Sequence, residues 1–357
     1  MLHSNKTKSH RLLRRGFDLG LALQNKAILN TSDEWQSGRP ILLKAACLEE
    51  LARHQGDITQ AAQLHQAVLD EQSCDDLLDR PLYLERLKDN FESLGSSINE
   101  GDDQEIETTL FDAIHDNNLI AEDLWMKVSW LSFYEEDASL RFRFSFGVDL
   151  HEDVAADAQR QHYAALLCDA IFPESALITQ NKTLVSSLNT LLKCKEVHFV
   201  ERIVYFNSPQ GGAYLHHDRE RGHAGVVYAQ ITGSTFWLAL TRSALVNEII
   251  TFVNECQTTS WPKMLNSDMQ TKLAELASNP EELTAELESF SNDTLIHLIN
   301  ETELFVQQLI NHGHSKTLKP GDILVLPQET EDLCCWHSVF TLGETSGEAL
   351  SFAIRRD

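Results

Sequence analysis

The sequence predicts an α+β fold in which short strands form a sandwich or barrel. From residue 139 onward, short apolar runs with strand-like alternation are separated by turn residues, unlike the regular strand and helix alternation of a parallel sheet. Helical periodicity dominates before residue 135 and again between Ser243 and about His312. We therefore expect a helical N-terminal region (1–135) and a β domain (136–357) that carries a helical insertion.

The strand prediction depends on residue alternation. In SLRFRFSFG, at 139–147, phenylalanines at every second position alternate with polar residues, as in a strand with one buried face. The other strand-like runs are VHFVERIVYF, GVVYAQI, STFWLAL, DILVLP and ALSFAIRR. In the N-terminal region, RPILLKAACLEELARHQGDITQAAQLHQAVLDEQ instead shows apolar residues three and four positions apart, which indicates helices.

Composition restricts the partners and the compartment. The chain has 357 residues and no apolar run near the roughly 18 residues of a membrane helix. Its 29 basic against 54 acidic residues give a net charge of −25, which repels phosphate backbones and mildly favours a cationic substrate. We expect no nucleic acid or membrane partner. Seven scattered cysteines without a CxxC pair indicate a reducing, cytoplasmic compartment.

The densest cluster of ionisable residues begins at AYLHHD. If this stretch is extended, His216 and Asp218 share one face and His217 points to the other. An imidazole and a carboxylate side by side are two ligands for a first-row metal. The alternative is that these side chains belong to a solvated turn, because a lone HxD is expected by chance in a chain with 15 histidines.

A third ligand has to come from elsewhere in the chain. In LKPGDILVLPQETEDLCCWHSVF, a Pro-Gly-Asp turn precedes an apolar strand, and His337 follows it after Trp336. Two histidines and one carboxylate form a facial triad, which leaves coordination positions open for a co-substrate and O₂ at Fe(II). A packed structural histidine is the alternative for His337.

The order of these motifs resembles that of the JmjC or cupin-like 2-oxoglutarate oxygenases over residues 201–356. The matching segments are the HxD, YAQITGSTFWLAL, KPGDILVLP and the distal histidine. The resemblance implies a double-stranded β-helix (jelly-roll) core with Fe(II) held by His216, Asp218 and His337. It also implies 2-oxoglutarate as co-substrate and hydroxylation of a C–H bond in a small molecule, an amino acid or a peptide or protein side chain.

One position departs from the family pattern. Many JmjC relatives bind the far carboxylate of 2-oxoglutarate with a lysine where this chain has Thr235, a candidate co-substrate residue whose hydroxyl can donate one hydrogen bond but supplies no positive charge. The last strand offers a replacement, since Arg355 follows the small residues Ser351 and Ala353 on one face. Arginine pairs with carboxylates in a bidentate geometry. Arg356 is expected to point outward.

Tyr205 and Asn207 alternate with apolar residues before the HxD, so both could point into the barrel beside the co-substrate. A tyrosine that only fills the core is the alternative. Two other functions stay open beside the 2-oxoglutarate oxygenase. One is an iron oxygenase of the same fold that does not use 2-oxoglutarate, which the threonine suggests. The other is a non-catalytic cupin-like module that binds a ligand or partner.

Overall fold

The computed structural model describes residues 31–98, 105–116, 118–130, 139–147, 157–209, 211–219, 223–289 and 291–356. Residues 1–30 of the proposed N-terminal region lie outside the described residues. Within the described segments, helices and two antiparallel sheets form a mixed α and β architecture, as the sequence predicts.

The described strands form two sheets of unequal size. In chain order they are β1 (Ile41–Leu43), β2 (Phe91–Ser97), β3 (Glu105–His115), β4 (Asn118–Trp130), β5 (Leu140–Phe146), β6 (Val197–Asn207), β7 (Gly212–His216), β8 (Gly225–Gln230), β9 (Thr235–Thr241), β10 (Ser315–Leu318), β11 (Ile323–Pro327), β12 (Cys335–Thr341) and β13 (Gly347–Arg356). Among the described residues, nine strands form a large sheet in the order β1-β11-β8-β13-β6-β5-β4-β3-β2. The small sheet has the order β10-β9-β12-β7.

The helices lie in two groups, one before β6 and one between β9 and β10. The first group is α1 (Thr31–Gln36), α2 (Leu48–Arg53), α3 (Gln55–Leu69), α4 (Cys74–Leu78), α5 (Pro81–Leu87), α6 (Ala158–Ile171), α7 (Ala176–Thr179) and α8 (Lys182–Leu192). The second group is α9 (Arg242–Thr258), α10 (Ser267–Ser278), α11 (Pro280–Ser289), α12 (Asp293–Glu301) and α13 (Glu303–Asn311). No helix in the described segments combines the length and the apolar character needed to span a membrane.

Three buried clusters hold these layers together. The first helix group packs on the outer face of the large sheet, where Phe142 meets Phe172 and Phe206 edge to face. The second group packs on the outer face of the small sheet around Leu238 and Trp336. A third cluster, including Tyr228 and Trp237, lies between the two sheets. The space between the sheets is therefore lined by side chains from both of them.

The second helix group forms an insertion between two neighbouring strands. β9 precedes it and β10 follows it, and these strands pair antiparallel with Thr235 opposite Leu318. After the insertion, the chain therefore re-enters the small sheet at β10, directly beside β9. The Thr241 hydroxyl caps the first insertion helix by accepting a hydrogen bond from the Ala244 N–H at 3.1 Å. This helical passage had been predicted over 243–312.

The helical prediction for 1–135 is wrong at β2, β3 and β4, which cover 91–97, 105–115 and 118–130 and extend the large sheet beyond β5. Pairing to β5 imposes the strand conformation on β4, with Val128 opposite Phe142 in the buried face, and β3 and β2 pair with β4 and β3 in turn. The β3–β4 hairpin turns at Asp116, where φ is +50°, a conformation that Asp tolerates better than most residues. The division of the chain near residue 135 stays a prediction.

Candidate metal centre

His216 and His337 lie opposite each other on neighbouring strands. β7 and β12 pair antiparallel, and the two residues are partners in that register. The Asp218 carboxylate reaches both imidazoles, with Oδ1 at 3.9 Å from His216 Nε2 and Oδ2 at 3.6 Å from His337 Nε2. The ligand atoms of all three residues lie within 4.8 Å of one another. The structure therefore brings together the three residues that the sequence selected.

Backbone carbonyls fix the orientation of both imidazoles. Nδ1 of His216 lies 2.6 Å from the Tyr214 carbonyl oxygen, and Nδ1 of His337 lies 3.1 Å from that of Cys335. A carbonyl only accepts, so each Nδ1 carries a proton, and in the neutral ring Nε2 keeps its lone pair. This tautomer is the one in which Nε2 binds a metal while the second nitrogen is held in place.

Burial also selects the neutral imidazole. His337 is 5% exposed, and this burial, with the nearby His216, lowers the pKa of the His337 imidazole to about 4. At neutral pH the ring is uncharged and available as a ligand. The Asp218 side chain is 21% exposed, so one side of the cluster opens toward solvent. Two imidazoles and one carboxylate fit a divalent first-row metal such as Fe(II).

Gln328 is a supporting residue that the sequence analysis did not select. It is fully buried, its Oε1 accepts from the Asp218 N–H at 3.2 Å, and its Nε2 donates to the Cys335 carbonyl at 2.9 Å. One amide thus links the backbone beside the carboxylate ligand to the strand that carries His337. Its position directly after the strand that follows the Pro-Gly-Asp turn could have indicated this role from the sequence.

A cavity of about 430 Å³ opens onto the three ligands. Its walls come from both sheets, and they include Tyr205 and Asn207 at the positions that the alternation predicted. Asn207 Nδ2 donates to the Tyr228 hydroxyl at 3.4 Å. Burial raises the pKa of the Tyr228 phenol, so this group stays protonated. The other lining residues are Arg141, Glu201, Ile203, Gly212, Ala213, Tyr214, His216, His217, Asp218, His223, Val226, Trp237, Leu326, His337, Val339, Ser351 and Ala353.

Thr235 does not offer its hydroxyl to this cavity. The side chain is 1% exposed, donates to Gln230 Oε1 at 2.7 Å and accepts from Trp237 Nε1 at 2.9 Å. Both contacts lie within β8 and β9, so the hydroxyl is used inside the protein. The role considered for Thr235 in holding a co-substrate is therefore not supported by its position.

Arg355 is also displaced from its predicted place. Ser351 and Ala353 line the cavity as expected, but Arg355 is not among the lining residues. The pairing of β13 with β8 stops at Ile354, whose partner Gly225 is the first residue of β8, whereas Arg355 pairs only with His198 of β6. Arg355 thus lies beyond the end of β8. Arg356 points outward, as predicted, and forms an ion pair with Glu329.

Arg141 is the cationic residue that the sequence analysis missed. Of the described lining residues, it alone carries a lysine or arginine charge. It lies on β5 opposite Tyr205, and its Nε donates to Ser129 Oγ at 3.0 Å. The alternation in RFRFSF was the available signal, because it separates Arg141 from the buried phenylalanines. The sequence did not show that the polar face of this strand borders a cavity.

No protein-family model matches the chain, and no curated protein matches it. Solved structures to which it is similar include the Escherichia coli ribosomal oxygenase YcfD (12% identity, 93% of this chain and 53% of that chain, TM-score 0.29). Another is a 2OG-Fe(II) oxygenase family oxidoreductase from Burkholderia pseudomallei (10% identity, 93% and 92% of the two chains, TM-score 0.33). A third is OsALKBH1 (12% identity, 51% and 63%, TM-score 0.24).

The chain aligns with about half the length of the E. coli protein.

Proposed function

We propose that the protein is an Fe(II)- and 2-oxoglutarate-dependent oxygenase that hydroxylates a C–H bond. The observation that carries the proposal is the cluster of His216, Asp218 and His337 at the wall of a cavity between two sheets. Both Nε2 lone pairs and the carboxylate converge, and such a facial triad leaves metal positions open for other ligands. Bound Fe(II) and 2-oxoglutarate would together reduce O₂, releasing succinate and CO₂ while one oxygen atom enters the substrate.

The strand topology supports the same class. From β6 to β13 the chain moves between the sheets, because β6, β8, β11 and β13 belong to the large sheet while β7, β9, β10 and β12 belong to the small sheet. We assign this interleaved arrangement to the double-stranded β-helix. In it, the two ligand strands β7 and β12 become neighbours.

The far carboxylate of 2-oxoglutarate needs its own partner, since an unpaired buried charge costs several kcal/mol. We assign this role to Arg141, with Tyr205, Asn207 and Tyr228 as polar neighbours in the cavity. A guanidinium has five N–H donors, so its bond to Ser129 is compatible with a carboxylate at the terminal nitrogens. Glu201 also lines the cavity, but its carboxylate forms an ion pair with Arg143 at 2.6 Å. The net charge of −25 is therefore what favours a substrate with a cationic group, such as an amino acid or a peptide.

An iron oxygenase that does not use 2-oxoglutarate is the second candidate. The internal hydrogen bonds of Thr235 favour it, because no cation or free hydroxyl remains at that position. The two candidates share the metal site and differ in the co-substrate. Binding of 2-oxoglutarate by Arg141 would favour the first candidate over the second.

Anaerobic Fe(II) loading followed by exposure to O₂ and 2-oxoglutarate tests the proposal. We expect one Fe(II) per chain and succinate formed in step with O₂ consumption, both lost in Asp218→Ala. Fe(II) binding without succinate, once a range of cationic amino acids and peptides has been supplied, would move the protein to the second candidate. A wild-type chain that binds no Fe(II) would exclude both oxygenases and leave a non-catalytic binding module.

A further inference from the structure

One carboxylate of the helical insertion contacts the residues just after β7, beside two of the metal ligands. Glu288 lies near the end of α11, and its side chain is 19% exposed. Oε2 accepts from His217 Nε2 at 3.2 Å and from Arg219 Nη2 at 3.2 Å, while Oε1 accepts from Arg242 Nη1 at 3.3 Å. Glu288 therefore joins three cationic or polar side chains beside the metal centre.

His217 connects this carboxylate to the ligands. It lies between His216 and Asp218, just after β7, and is 6% exposed. Its ring packs edge to face against Trp336, with 4.9 Å between centroids. Trp336 directly precedes His337. His217 is thus adjacent in sequence to His216 and Asp218, and its ring contacts Trp336, the residue before His337.

The His217 ring is held at both nitrogens. Nδ1 accepts from the Arg219 backbone N–H at 3.4 Å, so Nε2 must carry the proton that is donated to Glu288. Such hydrogen bonds fix both the ring plane and the tautomer. Removing the charge of the acceptor would weaken the hydrogen bond to this buried N–H and loosen the hold on the ring beside Trp336.

A second route leads from Glu288 to the loop before β12. Arg242, which Glu288 contacts, also donates to Glu331 Oε2 and Asp332 Oδ1, each at 3.1 Å. Arg219 Nη1 lies 3.5 Å from Glu331 Oε1. These ion pairs connect α11, the residues after β7 and the segment that leads into β12.

We propose that Glu288 is a positioning residue for the metal centre, through which the helical insertion holds the backbone of both ligand strands in register. The inference depends on the proposed metal site and extends it, because it makes the insertion part of that site. Neighbouring groups that orient metal ligands typically change metal affinity by about 10- to 100-fold when removed. Glu288 acts one contact further out, so about tenfold is expected.

The test uses Co(II) as the probe, titrated into the metal-free full-length chain and followed by calorimetry and by the visible absorption of bound Co(II). Glu288→Gln keeps the size of the side chain and removes its charge. Glu281→Gln is the matched control, since it makes the same change at an exposed position of the same helix. We expect the Co(II) Kd to rise about tenfold in Glu288→Gln, with a changed absorption spectrum, and by less than twofold in the control.

A second variant separates positioning from general stability. His217→Gln should raise the Co(II) Kd by a similar factor. The Kd of the double variant should not exceed that of the more affected single variant, because both substitutions act through the contact between Glu288 and His217. Multiplying effects would show independent roles and overturn the inference. So would a Glu288→Gln chain with a lowered melting temperature and an unchanged Kd. If the wild-type chain binds no Co(II), the proposed metal site itself is wrong.

Discussion

The imidazoles of His216 and His337 face each other across β7 and β12, with 4.4 Å between their ring centroids. Backbone pairing of the two strands produces this contact, so the distance between the ligands depends on strand register. A slip of one residue would turn one imidazole to the opposite face of the sheet. The β-bulge between His337 and Val339 occurs in this same strand pair.

Asp218→Ala is expected to abolish tight metal binding. The carboxylate is the one negatively charged member of the cluster and lies within 4 Å of both Nε2 atoms. Two imidazoles alone should bind Mn(II) or Co(II) at least about 100-fold more weakly, given that even indirect ligand supports are worth 10- to 100-fold. Calorimetry measures this change, with Asp268→Ala on α10 as an exposed control. Equal affinity in the two variants would remove Asp218 from the site.

Arg141→Ala is expected to raise the 2-oxoglutarate concentration needed for half-maximal succinate formation by about tenfold. The physical reason is the loss of a charge-assisted pair worth ~1.4 kcal/mol or more. Arg355→Ala is the matched control, because Arg355 lies past the end of β8 and outside the cavity lining. The reverse ranking of the two variants would restore Arg355 to the role that the sequence suggested.

Glu348→Gln is expected to stabilise the protein above pH 7. Glu174 and Glu348 are 0% and 2% exposed, and burial raises the pKa of Glu174 to about 7. Burial, together with the charge of Glu174, raises the pKa of Glu348 well above its ordinary value. Both groups bind protons more tightly in the folded chain than in the unfolded chain. Their contribution to stability is therefore full below pH ~4.5 and is lost as the pH rises through the folded pKa values.

Urea denaturation at pH 5 and at pH 8 measures this effect. The free energy of unfolding of Glu348→Gln, relative to wild type, should increase between these pH values by about 1 kcal/mol or more. Glu344→Gln, an exposed change four residues earlier, should show no such trend. A pH-independent difference for Glu348→Gln would show that the pair does not titrate in this range.

Gly225→Ala is expected to lower the free energy of unfolding by about 1–3 kcal/mol, the usual cost of overpacking. A Cβ at this position would lie 2.5 Å from the Leu326 carbonyl oxygen and 2.6 Å from the Trp35 ring. Gly56→Ala is the control, since a Cβ there meets nothing within 4 Å and the residue is helical. That change should be neutral or stabilising by up to about 1 kcal/mol. Similar urea midpoints for the two variants would contradict the predicted clash.

The sequence by itself determined the features that depend on local periodicity. Alternation of period two predicted that the side chains of His216 and Asp218 lie together and that His217 points elsewhere, and the structure has this grouping although β7 ends at His216. The same reasoning identified β5 from its phenylalanines and the helical passage before β10. These patterns are readable because the period of the backbone fixes which neighbours share a face.

Only the tertiary structure decided the features that depend on pairing between distant segments. β4 follows from its register with β5, and β3 and β2 follow by pairing with β4 and β3 in turn. Arg141 rather than Arg355 borders the cavity, and Arg355 lies past Ile354, the last partner of β8. The Thr235 hydroxyl is engaged in hydrogen bonds inside the protein. Glu288 contacts His217 although it lies 71 residues later in the chain. Local patterns carry no information on strand order, strand length or the packing of an insertion, and these set which side chains meet at the site.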